Sequence, residues 1–393
     1  MGGVACLKSS SITTPAGRLI GAFFRSRSLP SGFIPSRVLV IKLCCLGDVL
    51  MATPSLRLLR RAFPHAQIDL AIGSWSRPAI FNNPNLDEII DTGQLGGGYY
   101  PWADYLRLAW RLRRRRYDLA IVLERSVFAT LLPALAGIPY RAGLDSEGRG
   151  FPLTVRVPCS PQRHEADLYL DVAEAALKTM RVPKSDDLAI EARGQRLEFY
   201  PTQEDKATVA GRFADKRRPL VAIHPGGAVN PGSVLLSKRW PSERFAAIAD
   251  RLIECLGASV LLLGGVTDVE AVEAVRRQMR HPALILDPGL SFGQLGAAIA
   301  CCDLYIGNDS GPAHLAAAVG TPVVVVFGPT DPRVYGPYGG AGEAVWSGHA
   351  CAPCFSRGRS AKCKQPECLR EVSVDMAWSA IERRLAASRE ARL

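Results

Sequence analysis

Two carboxylates and a lysine in this chain have the types and settings needed to move a proton and hold a charged leaving group. Asp48 lies in Leu46-Gly47-Asp48-Val49, just after an apolar run. A carboxylate there sits at a helix start, which favours its ionised form. It would face a cleft and could act as a general base toward an attacking hydroxyl; a plain helix cap is the competing reading. Far along the chain, Gly307-Asn308-Asp309-Ser310-Gly311-Pro312-Ala313-His314 ends one apolar strand and opens a helix. Ser310 can cap that helix, Gly311 lets a ligand come close, and Pro312 suits a first turn. Unpaired amides and the helix dipole make such a start an anion site. Asp309 would repel a phosphate, so it is matched to ligand hydroxyls, with His314 beside it. Phosphate on amides and hydroxyls on a carboxylate describe a nucleotide-sugar, with an ordinary strand-to-helix turn as the alternative.

His224-Pro225-Gly226-Gly227 offers further free amides after another strand, again beside a potential phosphate. Lys238-Arg239-Trp240-Pro241 closes the loop that follows. A lysine at that place can neutralise a departing diphosphate without a metal ion; two solvated surface charges are the bland account. Thr330 and Asp331, in Phe327-Gly328-Pro329-Thr330-Asp331-Pro332, are ligand contacts or simply turn formers. No G-x-G-x-x-G follows either first strand and no G-x-x-x-x-G-K-[ST] is present, which argues against a nicotinamide dinucleotide site and a P-loop.

Arg111 and Arg113 to Arg116 form the densest positive run, preceded by Tyr99, Tyr100, Trp102, Tyr105 and Trp110. The run is a solvated helix end or a platform for an anionic glycolipid or membrane. Gly47, Arg114 and Arg115 are accordingly the acceptor-side candidates. Cys351, Cys354, Cys363 and Cys368 could surround one structural Zn or Fe ion. Four thiolates leave no open position, so such an ion would not be catalytic.

These groups need a frame, and the apolar pattern supplies one. Val38-Leu39-Val40-Ile41 is a β-branched run of the kind buried on both sheet faces. Ile68 to Ile72, Glu88 to Ile90 and Asp118 to Leu123 follow as strands at βαβ spacing, and the pattern restarts at Leu220-Val221-Ala222-Ile223. The expected division is a basic N-terminal extension (1–36), a first domain (37–195), a junction (196–218), a second domain (219–373) and a C-terminal helix (374–393). Tandem doubly wound α/β halves place a ligand cleft between them, at the carboxyl ends of the strands.

The length of 393 residues suits two domains. No apolar run reaches the roughly 18 residues that span a bilayer. The net charge of +11, from 48 basic and 37 acidic residues, favours an anionic partner such as a membrane surface, a phosphorylated glycolipid or nucleic acid. Eleven cysteines at this length are no disulfide scaffold; Cys44-Cys45 and Cys301-Cys302 read as reduced, buried thiols in a cytoplasmic protein. The patch Leu19 to Phe24 reads as part of a disordered tail or of a short segment resting on a membrane.

Taken in order, these segments resemble glycosyltransferase family 9, the lipopolysaccharide heptosyltransferase family. The resemblance is carried by Val40-Ile41-Lys42-Leu43 through Leu46-Gly47-Asp48-Val49-Leu50, Thr53-Pro54 and Arg60-Arg61-Ala62-Phe63-Pro64. It continues through His224-Pro225-Gly226, Lys238-Arg239-Trp240-Pro241, Gly307 to Leu315, Gly320-Thr321-Pro322, Phe327 to Pro332 and Cys351-Ala352-Pro353-Cys354. It implies a GT-B architecture, two facing Rossmann-like domains with parallel sheets, and a C-terminal helix that crosses back to the first domain. It also implies inverting, metal-independent transfer with no required cofactor. Asp48 matches the family's base, Lys238 its diphosphate lysine, and Asp309, Gly311 and His314 its donor contacts. The loop Gly226 to Ser237 is longer than in the best-known members and lacks their threonines, with Ser233 and Ser237 in their place.

The resulting expectation is transfer of a sugar, heptose from ADP-heptose, to a lipopolysaccharide core or related glycolipid. Expected donor contacts are His224, Gly226, Gly227, Ser237, Asp309, Ser310, Gly311, His314, Thr330 and Asp331. The expected setting is a monomer on the inner face of the cytoplasmic membrane, without nucleic acid. Rival readings are the same chemistry with another nucleotide-sugar, or a non-catalytic nucleotide-binding module on membrane or nucleic acid.

Overall fold

The structure is a computed structural model and describes residues 32–95, 100–230, 233–340, 342–355, 363 and 366–390. The apolar patch Leu19 to Phe24, most of the basic extension 1–36, and Tyr99 lie outside the described residues.

The first half runs β1 (Arg37–Ile41), α1 (Leu46–Met51), α2 (Thr53–Ala62), β2 (Gln67–Ile72), β3 (Glu88–Asp91), α3 (Trp102–Arg114), β4 (Leu119–Val122), α4 (Val127–Leu135), β5 (Tyr140–Asp145), β6 (Val155–Pro158) and α5 (Glu165–Thr179). The linking helices are α6 (Ser185–Ala192) and α7 (Gln203–Val209). The second half opens with β7 (Leu220–His224), the hairpin β8 (Val229–Asn230) and β9 (Ser233–Val234), α8 (Ser242–Leu256), β10 (Ser259–Leu262), α9 (Val269–Gln278) and β11 (Leu284–Ile285). It ends with α10 (Phe292–Ala300), β12 (Leu304–Asn308), α11 (Gly311–Ala318), β13 (Val323–Phe327), α12 (Pro332–Tyr335), β14 (Gly342–Trp346), α13 (Glu367–Arg370) and α14 (Val374–Glu390).

Each half carries a six-stranded sheet, in the orders β3-β2-β1-β4-β5-β6 and β11-β10-β7-β12-β13-β14. Every pairing within them is parallel; Val38, for example, stands opposite both Ile68 and Leu119. In each sheet the chain lays two strands to one side of β1 or β7 and then crosses to the other side, so the loops after these strands face a crevice at the carboxyl edge. Asp48 and His224 arise at those two places.

Side chains alternate between apolar layers as strand geometry requires. Val38 and Val40 enter one layer, Leu39 and Ile41 another; Leu220 and Ala222 part from Val221 and Ile223 in the same way. The layers of Val38 and of Leu220 belong to one apolar cluster that runs through both halves by way of Leu197, Phe199, Ala313 and Leu315. Phe199 in the linking segment packs edge-on against Phe81 of the first half and Phe292 of the second.

Three expectations change. The C-terminal helix, expected to cross back to the first half, packs on β13, β14 and α8 of the second. Ala377, Trp378, Ala380 and Ile381 find their apolar partners there. Cys44 and Cys45, expected as reduced thiols, form a disulfide between neighbours across a cis peptide; the tight turn after β1 brings their sulfurs together. Ser310 occupies the cap position of α11 without capping it, because its hydroxyl donates to the Asn308 carbonyl at 3.2 Å. Among the described residues no helix is long and apolar enough to cross a membrane.

Candidate active site

The turn after β1 is built around two buried charges. Lys42 is buried, and its ammonium donates to Glu124 Oε1 at 2.8 Å and to the Cys44 carbonyl. Glu124, at the end of β4, also accepts the Leu43 amide at 2.8 Å. Asp48 sits one turn into α1, where its Oδ2 accepts the Cys45 amide at 3.3 Å and lies 3.9 Å from the lysine Nζ. About a third of its side chain (34%) stays exposed. A helix start by itself pushes a carboxyl downward. The structure pushes it upward: desolvation leads, Glu165 and Glu124 add to it, and Lys42 and the Cys45 amide only partly oppose it. A raised carboxyl is the better proton acceptor near neutral pH.

The second half presents a denser network. His224 is buried, with its Nε2 3.3 Å from Asp268 Oδ2. Asp268 also accepts the Gly227 amide at 2.8 Å and the Arg239 guanidinium at 3.0 Å. Burial works against that charge, yet His224, Gly227 and Gly265 draw the carboxyl down to about 2. Asn308 ties the same loops together: its Oδ1 accepts the Trp240 amide at 2.9 Å, and its Nδ2 donates to the carbonyls of Pro225 and Gly226 at 2.9 and 3.0 Å. Gly227 has a φ of +88°, and a Cβ there would lie 2.6 Å from the Ser310 Cβ, so only glycine fits both the turn and the gap.

Lys238 ends a single helical turn that also contains Ser237, and its Nζ reaches Asp309 Oδ2 at 2.6 Å. Thr330 Oγ1 donates to the same oxygen at 2.7 Å. Asp309, expected to serve ligand hydroxyls, is thus the anchor of the lysine. Burial opposes its charge, but Lys238 and Thr330 hold the carboxyl below its usual range. His314 is pushed down to about 4 by burial and stays neutral at ordinary pH. Asp331 caps α12 through the Arg333 amide at 2.9 Å and pairs with the Arg333 guanidinium at 2.7 Å.

The halves meet where these groups converge. Helix α1 packs on α11; a Cβ on Gly47 would stand 2.7 Å from His314 Cδ2 and 3.6 Å from the Gly311 Cα. Tyr335 lies within electrostatic reach of both Asp48 and Asp309, its phenol raised chiefly by burial and further by Glu165 and these two carboxylates. The helix that bears Asp48 thus packs on the helix that begins just after Asp309, the partner of Lys238.

Arg114 and Arg115 do not belong to it. Arg115 pairs with Glu88 and lies 3.6 Å from Asp69, while its carbonyl accepts from Arg37 at 2.5 Å. Glu88, Asp69 and Arg37 lie at or near the starts of their strands, so the arginines mark the amino edge of the sheet, opposite the cleft. Arg114 stacks on Trp110 at 4.7 Å at that same helix end. Sequence reasoning missed Glu124, Asp268 and Tyr335, and named Lys42 only as part of the family motif, without its pairing.

Among the described residues no group of three or more His, Cys, Asp or Glu side chains is arranged to hold a metal ion. The four C-terminal cysteines are nonetheless close enough to influence one another: burial raises the Cys368 thiol to about 11, with Cys351, Cys354 and Cys363 adding to the shift.

Residues 105–365 match the model of glycosyltransferase family 9 (heptosyltransferase). The chain belongs to glycosyltransferase family 9. It is 30% identical over 305 residues to lipopolysaccharide heptosyltransferase 2 of Escherichia coli (strain K12), covering 75% of this chain and 84% of that protein. Identity reaches 31% over 314 residues with lipooligosaccharide heptosyltransferase 2 of Haemophilus ducreyi, again at 75% and 84% coverage. The crystal structure of a family 9 glycosyltransferase from Veillonella parvula superposes with a TM-score of 0.71 at 26% identity, over 92% of this chain and 99% of that one. This family 9 member is a glycosyltransferase with the GT-B architecture, and the facing parallel sheets described above are its two Rossmann-like halves.

Proposed function

We propose that this chain transfers heptose from ADP-heptose to a lipopolysaccharide core, with inversion at the anomeric carbon and Asp48 as general base. The observation that supports the reading is the packing of α1, which bears Asp48, on α11, which begins just after Asp309 and its Lys238 partner. The acceptor hydroxyl loses its proton to Asp48 as its oxygen attacks the anomeric carbon. The bond from that carbon to the diphosphate oxygen breaks on the opposite face, and the departing ADP takes up the negative charge. Lys238, the amides around Gly226 and Gly227, and the start of α11 near Gly311 hold it. His224 and Thr330 support these groups from behind, and Asp331 fixes the helix that bears Tyr335. The names of the relatives favour heptose as the sugar, ADP follows from the family resemblance, and the basic surface favours an acceptor anchored at the cytoplasmic membrane face.

Lys238 provides the cation at the leaving group, so transfer proceeds without a metal at the diphosphate. A structural Zn or Fe among the four cysteines has the mutual influence of their thiols as its support; elemental analysis of the purified protein tests it, and a metal content near zero removes it.

The decisive experiment is Asp48→Asn. Donor binding by calorimetry should persist while transfer falls about 100- to 10,000-fold. Near-full transfer would remove Asp48 from the role. A panel of ADP-, UDP- and GDP-sugars in the same assay fixes the donor, and preference for another nucleotide-sugar would replace ADP-heptose.

A further inference from the structure

Helix α3 spends only half of its apolar surface on the core. Tyr105, Leu108, Ala109 and Leu112 point inward. Trp102, Leu106 and Trp110, spaced four apart, lie one above another on the outside and are 62%, 55% and 58% exposed. Phe128, at the start of α4, is 46% exposed, and its ring meets Trp102 at 5.7 Å. The stripe therefore continues onto the neighbouring helix. Contiguous apolar surface of this kind marks a contact site. Arg111 and Arg114 belong to the same helix, and Arg107 is paired with Asp104, its acidic residue, at 2.5 Å.

We propose that the outer face of α3, with Phe128, docks this protein onto an anionic phospholipid bilayer. Its value to catalysis rests on the reading that the acceptor is a glycolipid; the docking itself stands on these side chains. Indole rings suit the zone between acyl chains and headgroups, and arginine heads beside them suit lipid phosphates. The surface is a convex helix, which fits a bilayer plane better than it fits a peptide. A second copy would fit badly, since a two-fold contact lays one arginine row against the other. The orientation is also apt. Trp102 and Phe128 lie at the carboxyl edge of the sheet, where Arg125, three residues before Phe128, pairs with Glu165 at 2.5 Å. Glu165 in turn acts on Asp48. Docking by this face sets the mouth of the cleft beside the headgroups, where a lipid-borne hydroxyl would enter.

The test is co-sedimentation of the full chain with vesicles of phosphatidylcholine alone or mixed with phosphatidylglycerol. Wild-type protein should bind the mixed vesicles, weakening as salt rises. The combined variant Trp102→Ser, Leu106→Ser and Trp110→Ser should bind about tenfold less or weaker still. It should transfer at wild-type rate to a soluble, deacylated acceptor. Unchanged vesicle binding in the variant overturns the proposal and assigns docking to another segment, such as residues 1–36. Loss of a wild-type dimer in the variant, read by light scattering, overturns it in favour of a contact between copies. Failure of transfer to any acceptor by wild-type protein would sink the enzymatic reading and leave the vesicle result standing.

Discussion

Burial raises the Asp48 carboxyl first, and Lys42, Glu165 and Glu124 tune it. The lysine stands 3.9 Å from the base and 2.8 Å from Glu124, so Glu124 draws off part of the charge that would otherwise hold Asp48 ionised. A base works only when deprotonated, and its raised carboxyl places the acid limb of the rate profile above the ordinary carboxylate range. In Glu124→Gln the amide oxygen can still accept from Leu43, one raising influence disappears, and Lys42 turns fully to Asp48. The acid limb of kcat/KM should therefore move to lower pH; a limb that stays in place would separate Glu124 from the base. Asp48, Lys238 and Asp309 were legible in the sequence because each adjoins a strand end and a loop or helix start. Glu124 and Asp268 were not, since their partners lie 82 and 44 residues away. A signal was nonetheless present. Glu124 directly follows an apolar strand and Asp268 follows Gly264-Gly265, so a search of every strand's carboxyl end would have found both.

Helices α1 and α11 are short, at six and eight residues, yet they carry a direct contact between the two halves. Gly47 makes that approach possible. Gly47→Ala inserts a methyl 2.7 Å from the His314 ring, and the helices must part. Overpacking of this kind costs about 1–3 kcal/mol, and displacement of the base by an ångström costs about 100-fold in rate. Thermal unfolding and kcat should both fall; a variant unchanged in both would show that this contact does not set Asp48. Strands with unbroken apolar runs, such as Val38 to Ile41 and Val323 to Phe327, were readable from sequence. β5 was not, because Tyr140-Arg141-Ala142-Gly143 breaks the run with a charge. Arg141 is buried there only because its guanidinium donates to the carbonyls of Pro152 and Ile138 at 2.7 and 2.5 Å. β6 alternates half-buried and exposed positions and ends in Pro158, which hides it among turns.

The doubling of the strand pattern made two halves legible at the scale of the molecule, whereas the resting place of α14 was invisible, since an apolar helix face does not say which sheet it covers. The apolar layer shared by the halves has a thermodynamic outcome. A core that crosses from one half to the other leaves no plane along which either can melt by itself. Scanning calorimetry should give one endotherm, with calorimetric and van't Hoff enthalpies in agreement, and either half expressed alone should be sticky and partly unfolded. Two resolved endotherms would mean that the shared layer is only a contact surface. If the single peak is found, any ligand that grips one half will raise the melting point of both, so a dye-based shift assay can report nucleotide and acceptor binding alike.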